Sequence, residues 1–249
     1  MIRTLAAMEW KRLFRSPLGW VVLAAAQLGQ GLVFVQLVET YQRNPAAAAH
    51  NGATYQVASL ALASSGYIAL LAIPLISMRL ISEERRLHSL PLLQSSPLSS
   101  LQIVLGKYLG ISAYAILLPL FSLVMALSLI GSTQLDFGLL ATSSLGSILL
   151  ICAYAAIGLF CSSTTRSPSL AAISCLTILI LLWSTTVFHS GIRQLDKLMQ
   201  LISWPEHLQP LLQGVVDTRN LFFFLFVIIL FLGLSVLQLE NLRNRGGGD

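Results

Sequence analysis

From residue 18 onward, long apolar runs alternate with short polar interruptions. Six runs, at 18–38, 57–78, 101–130, 138–161, 169–188 and 220–239, each reach at least the ~20 residues that a helix needs to cross a ~30 Å hydrocarbon layer. In such a layer a single chain segment can satisfy its backbone polar groups only as a helix, so the pattern predicts an all-α, polytopic membrane protein with six transmembrane helices. Within the first run Gln27 and Gln30 lie one helical turn apart beside Gly29 and Gly31, so that stripe is expected to face protein rather than lipid. The second run carries Ser64, Ser65 and Gly66 and is broken near its end by Pro74; the third holds Pro119 in its middle. The fourth is dense in Gly, Ala and Ser, which permits close helix approach.

The polar flanks are patterned too. Residues 1–17 place Ile2, Leu5 and Met8 or Glu9 at helical spacing among Arg3, Lys11, Arg12 and Arg15, predicting an amphipathic helix lying in the membrane interface. A signal peptide is the competing reading, but the following apolar run outlasts a signal h-region and no small-residue cleavage site follows it. Residues 189–219 carry two apolar sets at helical spacing: Ile192 to Ile202, then Leu208, Leu211, Leu212, Val215 and Val216 after Trp204 and Pro205. Each is too short and polar to span, so paired interfacial helices are expected there, with Trp204 as a belt residue. Asp217 and Thr218 are positioned to cap the last span, and a short polar tail occupies 240–249.

Composition agrees: with 55% hydrophobic and 10% charged residues among 249, and a mean hydropathy of +0.78, the chain has too little charge to solvate a globular surface. The formal charge of +5 reflects short basic clusters beside apolar runs, which argues for membrane topology and against nucleic acid. With both termini and residues 79–107 on the cytoplasmic side, 11 of the 15 Lys and Arg residues lie inside; only Arg43, Arg193, Lys197 and Arg219 lie outside. Lys107 near the entry to the third run reads as a snorkelling anchor. Cys152, Cys161 and Cys175 fall inside apolar runs and read as small core residues.

Chemistry of its own is not expected of this chain: no catalytic, cofactor-binding or metal-binding residues are predicted. Gly106-Lys107 lacks the rest of a phosphate-binding loop, no ionisable group lies near a span centre, and His50, His88, His189 and His207 lack metalloprotease spacing. Nor does any Ser occupy a nucleophile elbow. A membrane protein with neither a nucleotide site nor an ion relay is expected to draw its energy from a partner.

One polar stretch stands apart, 79–107, with Glu83, Glu84, Arg85 and Arg86 in a compact cluster of both signs. The run Met78 to Arg86, then Leu90, Leu92-Leu93, Ser96-Pro97 and Val104 to Tyr108, resembles the first cytoplasmic loop of type 2 ATP-binding cassette (ABC-2) permeases, in particular the gliding-motility-type branch, with a copper-processing permease as a relative. Ala156 to Phe160 with Ser163 and Thr165, and Gly214 to Asn220, extend the resemblance over most of the chain.

The resemblance implies a six-span permease domain over 18–249, behind the interfacial helix 1–17. It also implies a coupling helix over 83–93 that enters a cleft of a separate ATPase subunit. Glu83, Glu84, Arg85 and Arg86 would supply polar contacts, and Leu87, Leu90 and Leu93 an apolar stripe. His88-Ser89 and Leu90-Pro91 depart from the family pattern, and Pro91 disfavours helix at Leu90. Gln27, Gln30, Ser64, Ser65 and Gly66 are candidates for lining a path. ATP and Mg would be bound by the partner ATPase and none on this chain. The other expected partners are a second permease copy or a homologous subunit, a membrane-anchored auxiliary subunit and the lipid bilayer of the bacterial cytoplasmic membrane. The expected function is export or movement of a substrate driven by that ATPase. The alternatives are an ATP-driven mechanotransmitter that moves no substrate, and a passive membrane scaffold or secondary carrier, the carrier disfavoured by the uncharged span centres.

Overall fold

The computed structural model describes residues 2–43, 52–87, 99–131, 133–184 and 203–246, and among these every regular element is helical. Helix α1 (Ile2–Arg15) joins α2 (Pro17–Arg43) through Ser16, with Pro17 as the first residue of α2, where a missing N–H and a preset φ cost nothing. A π-helical segment (Thr54–Ser59) runs directly into α3 (Leu60–Ser77), which a short turn separates from α4 (Ser82–Arg86). Then come α5 (Ser100–Ala115), α6 (Leu117–Leu127), α7 (Phe137–Thr164), α8 (Pro168–Ser184), α9 (Trp204–Leu212) and α10 (Thr218–Gly246).

Among the described residues, five stretches are long and apolar enough to cross a membrane: α2, the α3 stretch, α5 with α6, α7 and α10. The fifth expected span is represented by α8, a shorter apolar helix of 17 residues; 185–188 lie outside the described residues, as does 189–202 with the first interfacial helix expected there. The third span is two helices rather than one. Pro119 has no N–H to return to the carbonyl four residues earlier, and the helix breaks at Ile116. Caps fix the starts: Ser99 and Gln102 bond each other's backbone N–H at 3.3 Å before α5, and Asp136 Oδ1 accepts from Gly138 and Leu139 before α7.

The core is built around α3 and α7, each with 67% of its apolar window buried, against 11% for α2 and 17% for α10. Small residues make that contact close. A Cβ added at Gly158 would lie 2.4 Å from Ser77 Oγ, and one at Gly66 would lie 2.6 Å from Leu150 Cδ2. Buried hydroxyls join the same helices: Ser59 and Ser143 pair at 2.9 Å, and Ser147 donates to the Leu62 carbonyl at 3.1 Å.

At the end of the bundle away from α4, two expectations change. Trp204 is wholly buried rather than a belt residue, packed on Tyr154, Phe223 and Phe224. Helix α9 starts at this tryptophan and stops at Leu212, because Gly214 adopts φ +87° and turns the chain; Val215 and Val216 are left exposed outside it. The amphipathic face of α9 is turned into the bundle. His207 Nδ1 meets Asn220 Oδ1 at 2.9 Å and the ring stacks on Phe223, which docks α9 on α10.

Gly158→Ala should lower the apparent Tm of the purified protein in detergent by an amount equivalent to about 1–3 kcal/mol, the usual cost of overpacking. Adding Ser77→Gly should restore most of the loss, since Ser77 is the group the new methyl would strike. Equal Tm values for the single and double variants would contradict this packing.

Candidate functional site

Helix α1 lies across α5 so closely that two glycines decide the contact. A Cβ at Gly106 would stand 2.6 Å from Leu5 Cδ2, and one at Gly110 would stand 2.7 Å from Glu9 Cβ. Leu5 and Glu9, one turn apart on α1, therefore sit over Gly106 and Gly110, one turn apart on α5, in a small-xxx-small arrangement. This register carries the Glu9 carboxylate inward to Lys107.

Lys107 is fully buried. Its Nζ donates to Glu9 Oε1 at 2.6 Å, to Glu84 Oε1 at 2.6 Å and to the Leu80 carbonyl at 2.9 Å, so all three ammonium hydrogens are used. The snorkelling reading of Lys107 is thereby overturned: α1 covers the side chain and supplies a counter-charge inside, so the ammonium does not have to reach water. Two carboxylates and a carbonyl offset a desolvation cost of several kcal/mol. Arg12 extends the network outward, with NH2 3.1 Å from Glu83 Oε2 and NH1 3.6 Å from both Glu9 Oε2 and Glu84 Oε1. Its guanidinium is 41% exposed, so this rim is worth far less than the buried centre.

The turn between α3 and α4 is fully engaged. Ser162 Oγ, near the end of α7, accepts from Ile81 N at 2.9 Å and Ser82 N at 3.1 Å and donates to the Met78 carbonyl at 3.3 Å. Ser82 Oγ also donates to the Met78 carbonyl, and Arg12 donates to the Arg79 carbonyl at 3.4 Å. With Lys107 on Leu80, two cations meet the carbonyls at the C-terminal end of α3, where the helix dipole favours them. Arg85 then fastens α4 to the Ser163 carbonyl at 2.6 Å. The five-residue α4 is thus held by α1, α5 and α7 at once.

Of the predicted coupling residues, Glu83 and Glu84 face these intramolecular cations, Arg85 reaches α7, and Arg86 and Leu87 are exposed. Leu90 and Leu93 lie outside the described residues. The predicted path residues are not gathered together. Gln30 is buried and packs α2 inward, and neither Gln30 nor Gln27 lines a cavity described here. Gly66 belongs to the packed α3–α7 contact and Ser65 is buried, donating to the Leu62 carbonyl of its own helix at 2.6 Å, while Ser64 borders a cavity of ≈ 480 Å³ between α2, α3 and α9. Sequence reasoning missed Glu9, Arg12 and Ser162. Two signals for the first were present: a carboxylate in phase with Leu5 on the apolar stripe, and the Gly106/Gly110 spacing four residues apart.

The sequence matches the model of the ABC-2 family transporter proteins over residues 3–241, nearly the whole chain, so the protein belongs to that family. It is an integral membrane protein of the permease class, whose members act with an ATPase. No curated protein matches it significantly.

Lys107→Met should destabilise the protein by about 3–5 kcal/mol, because it leaves Glu9 and Glu84 buried without their cation. Arg12→Ala should cost no more than about 1 kcal/mol, as expected of a partly exposed pair. Thermal unfolding in detergent compares the two; equal losses would contradict the division into buried centre and exposed rim.

Proposed function

We propose that this chain is the permease subunit of an exporter in the bacterial cytoplasmic membrane, converting ATP hydrolysis on a separate ATPase subunit into movement of a substrate. One observation carries the reading: α4 is tied to α1, α5 and α7 and still presents Arg86 and Leu87 at the surface. A loop that merely linked spans would need no such ties. A partner that displaced α4 would displace three helices with it, which is the requirement for a lever.

In this reading the end bearing α1 and α4 is cytoplasmic, ATP and Mg belong to the partner, and two permease copies or homologous subunits open between them. Glu83 and Glu84 then act chiefly by holding α4 in place, while Arg86 and Leu87 meet the ATPase. The ≈ 480 Å³ cavity favours substrate movement over force transmission alone, because a pure transmitter has no use for it.

The test isolates the complex through this subunit and measures co-purifying ATPase. Arg86→Glu/Leu87→Asp should weaken retention of the ATPase about tenfold or more, as for an interface hot spot, with an unchanged Tm. Glu83→Ala/Glu84→Ala should lower the coupled ATPase rate and the Tm together. Full ATPase retention by the surface variant would put the contact elsewhere, and absence of any ATPase from the wild-type preparation would favour a scaffold.

A further inference from the structure

We infer that the seam between α2 and α3 is a binding site for a neutral amphiphile, an acyl chain with an uncharged hydrogen-bonding head; calling that molecule the substrate rests on the permease reading above. The seam holds two adjoining spaces. The first is the ≈ 480 Å³ chamber, where Val33, Leu37 and Leu208 form apolar walls and Tyr55, Ser64 and Gln209 add hydrogen-bonding groups. Tyr67 and Trp183, with ring centroids 4.4 Å apart, make a flat aromatic wall. Trp183 is pinned by donating its indole N–H to the Tyr154 hydroxyl, so that wall is preformed. None of the described residues lining the chamber is charged.

The second space is an apolar trough of ≈ 340 Å³ between Val21, Ala25 and Gly29 of α2 and Ile68, Ala72 and Leu75 of α3. Ile68 borders both spaces, so they adjoin along the same seam. From Val21 to Leu37, sixteen residues of helix cover about 24 Å, most of a hydrocarbon layer.

The packing on the two sides of α3 differs. Toward α7, a Cβ at Gly66 would strike Leu150 at 2.6 Å; toward α2, a Cβ at Gly29 would find its nearest neighbour, Ile68 Cδ1, at an ordinary 3.4 Å. The α2 face therefore leaves room that the α7 face does not. The polarity of that room selects its occupant. A chain fits the trough, a head that can hydrogen-bond without charge fits the chamber, and an ionic head would find no counter-ion in the described lining. The bilayer around α2 is the source of such a molecule, since little of α2 is covered by protein.

The test uses the purified full chain in phosphatidylcholine nanodiscs with a monoacylglycerol carrying a diazirine in its chain. Ultraviolet labelling followed by peptide mapping should concentrate on α2, α3 and α9. Labelling should fall about tenfold with Ala25→Phe, which fills the trough from an exposed position, and a carboxylate-headed probe of equal chain length should label about tenfold less. Equal labelling of the exposed face of α10 would reduce the seam to ordinary lipid contact and overturn the proposal. An unchanged yield with Ala25→Phe, at unchanged Tm, would do the same, as would cross-links showing a second copy seated on the seam. No ATPase takes part in this assay, so a failure to recover one bears on the permease reading and leaves this result standing.

Discussion

A lysine ammonium removed from water must find its counter-charges within bonding distance, and here that demand organises one whole end of the molecule. Lys107 obtains Glu9 from α1, Glu84 from α4 and the Leu80 carbonyl from the turn between α3 and α4. Each of those groups is 23 or more residues away along the chain, so the contact sets the register of α1 and the placement of α4 together. Gly106 and Gly110 are what make it reachable, because a side chain at either position would hold α1 off the helix. The Glu-Glu and Gly-Lys pieces that stand out in the sequence are therefore two parts of one contact.

Around this junction the helices fall into two mechanical kinds. Helices α3 and α7 pack on each other through glycine and serine, and α5 packs on α1 through Gly106 and Gly110, so closely that neither contact has room for a further side chain. Helix α2 is different: small residues face α3 without closing on it. Its attachment at the junction end is nevertheless firm, since Tyr114 donates to the Gly19 carbonyl at 2.7 Å and the Trp20 indole donates to the Phe14 carbonyl at 2.7 Å. A displacement of α4 would reach α1 through Glu83 and Glu84, and α2 through this elbow. The loosely held helix that borders both cavities is thus joined to the charged junction through α1 and α5.

The far end follows another rule. There buried polar contacts join uncharged groups, with Thr54 accepting from the Asp136 N–H at 2.9 Å and Ser143 donating to the Leu212 carbonyl at 3.4 Å. Such pairs satisfy backbone and side chain without the desolvation cost of charge, and the described lining of the neighbouring chamber carries no charge either.

Much of the architecture was legible in the residues alone, because hydrocarbon imposes a length and a helical backbone on any segment that crosses it. The apolar runs, the amphipathic α1, the cap at Asp217 and the ABC-2 membership all follow from local pattern or from resemblance. What only the tertiary structure decided are the contacts between distant segments. Gly106 and Gly110 beside Lys107 mark a close helix approach, but the partner they admit, Glu9, lies 98 residues earlier and is fixed only by the fold, so a snorkelling lysine was the natural reading. Trp204 looks like a belt residue until α9 is seen turned inward. Ser64 and Ser65 are indistinguishable in sequence, yet one helical step of about 100° puts one beside a cavity and the other in the core. Hydropathy determines which segments are helices in a membrane; which face of each helix meets which neighbour depends on pairings that a one-dimensional pattern does not contain.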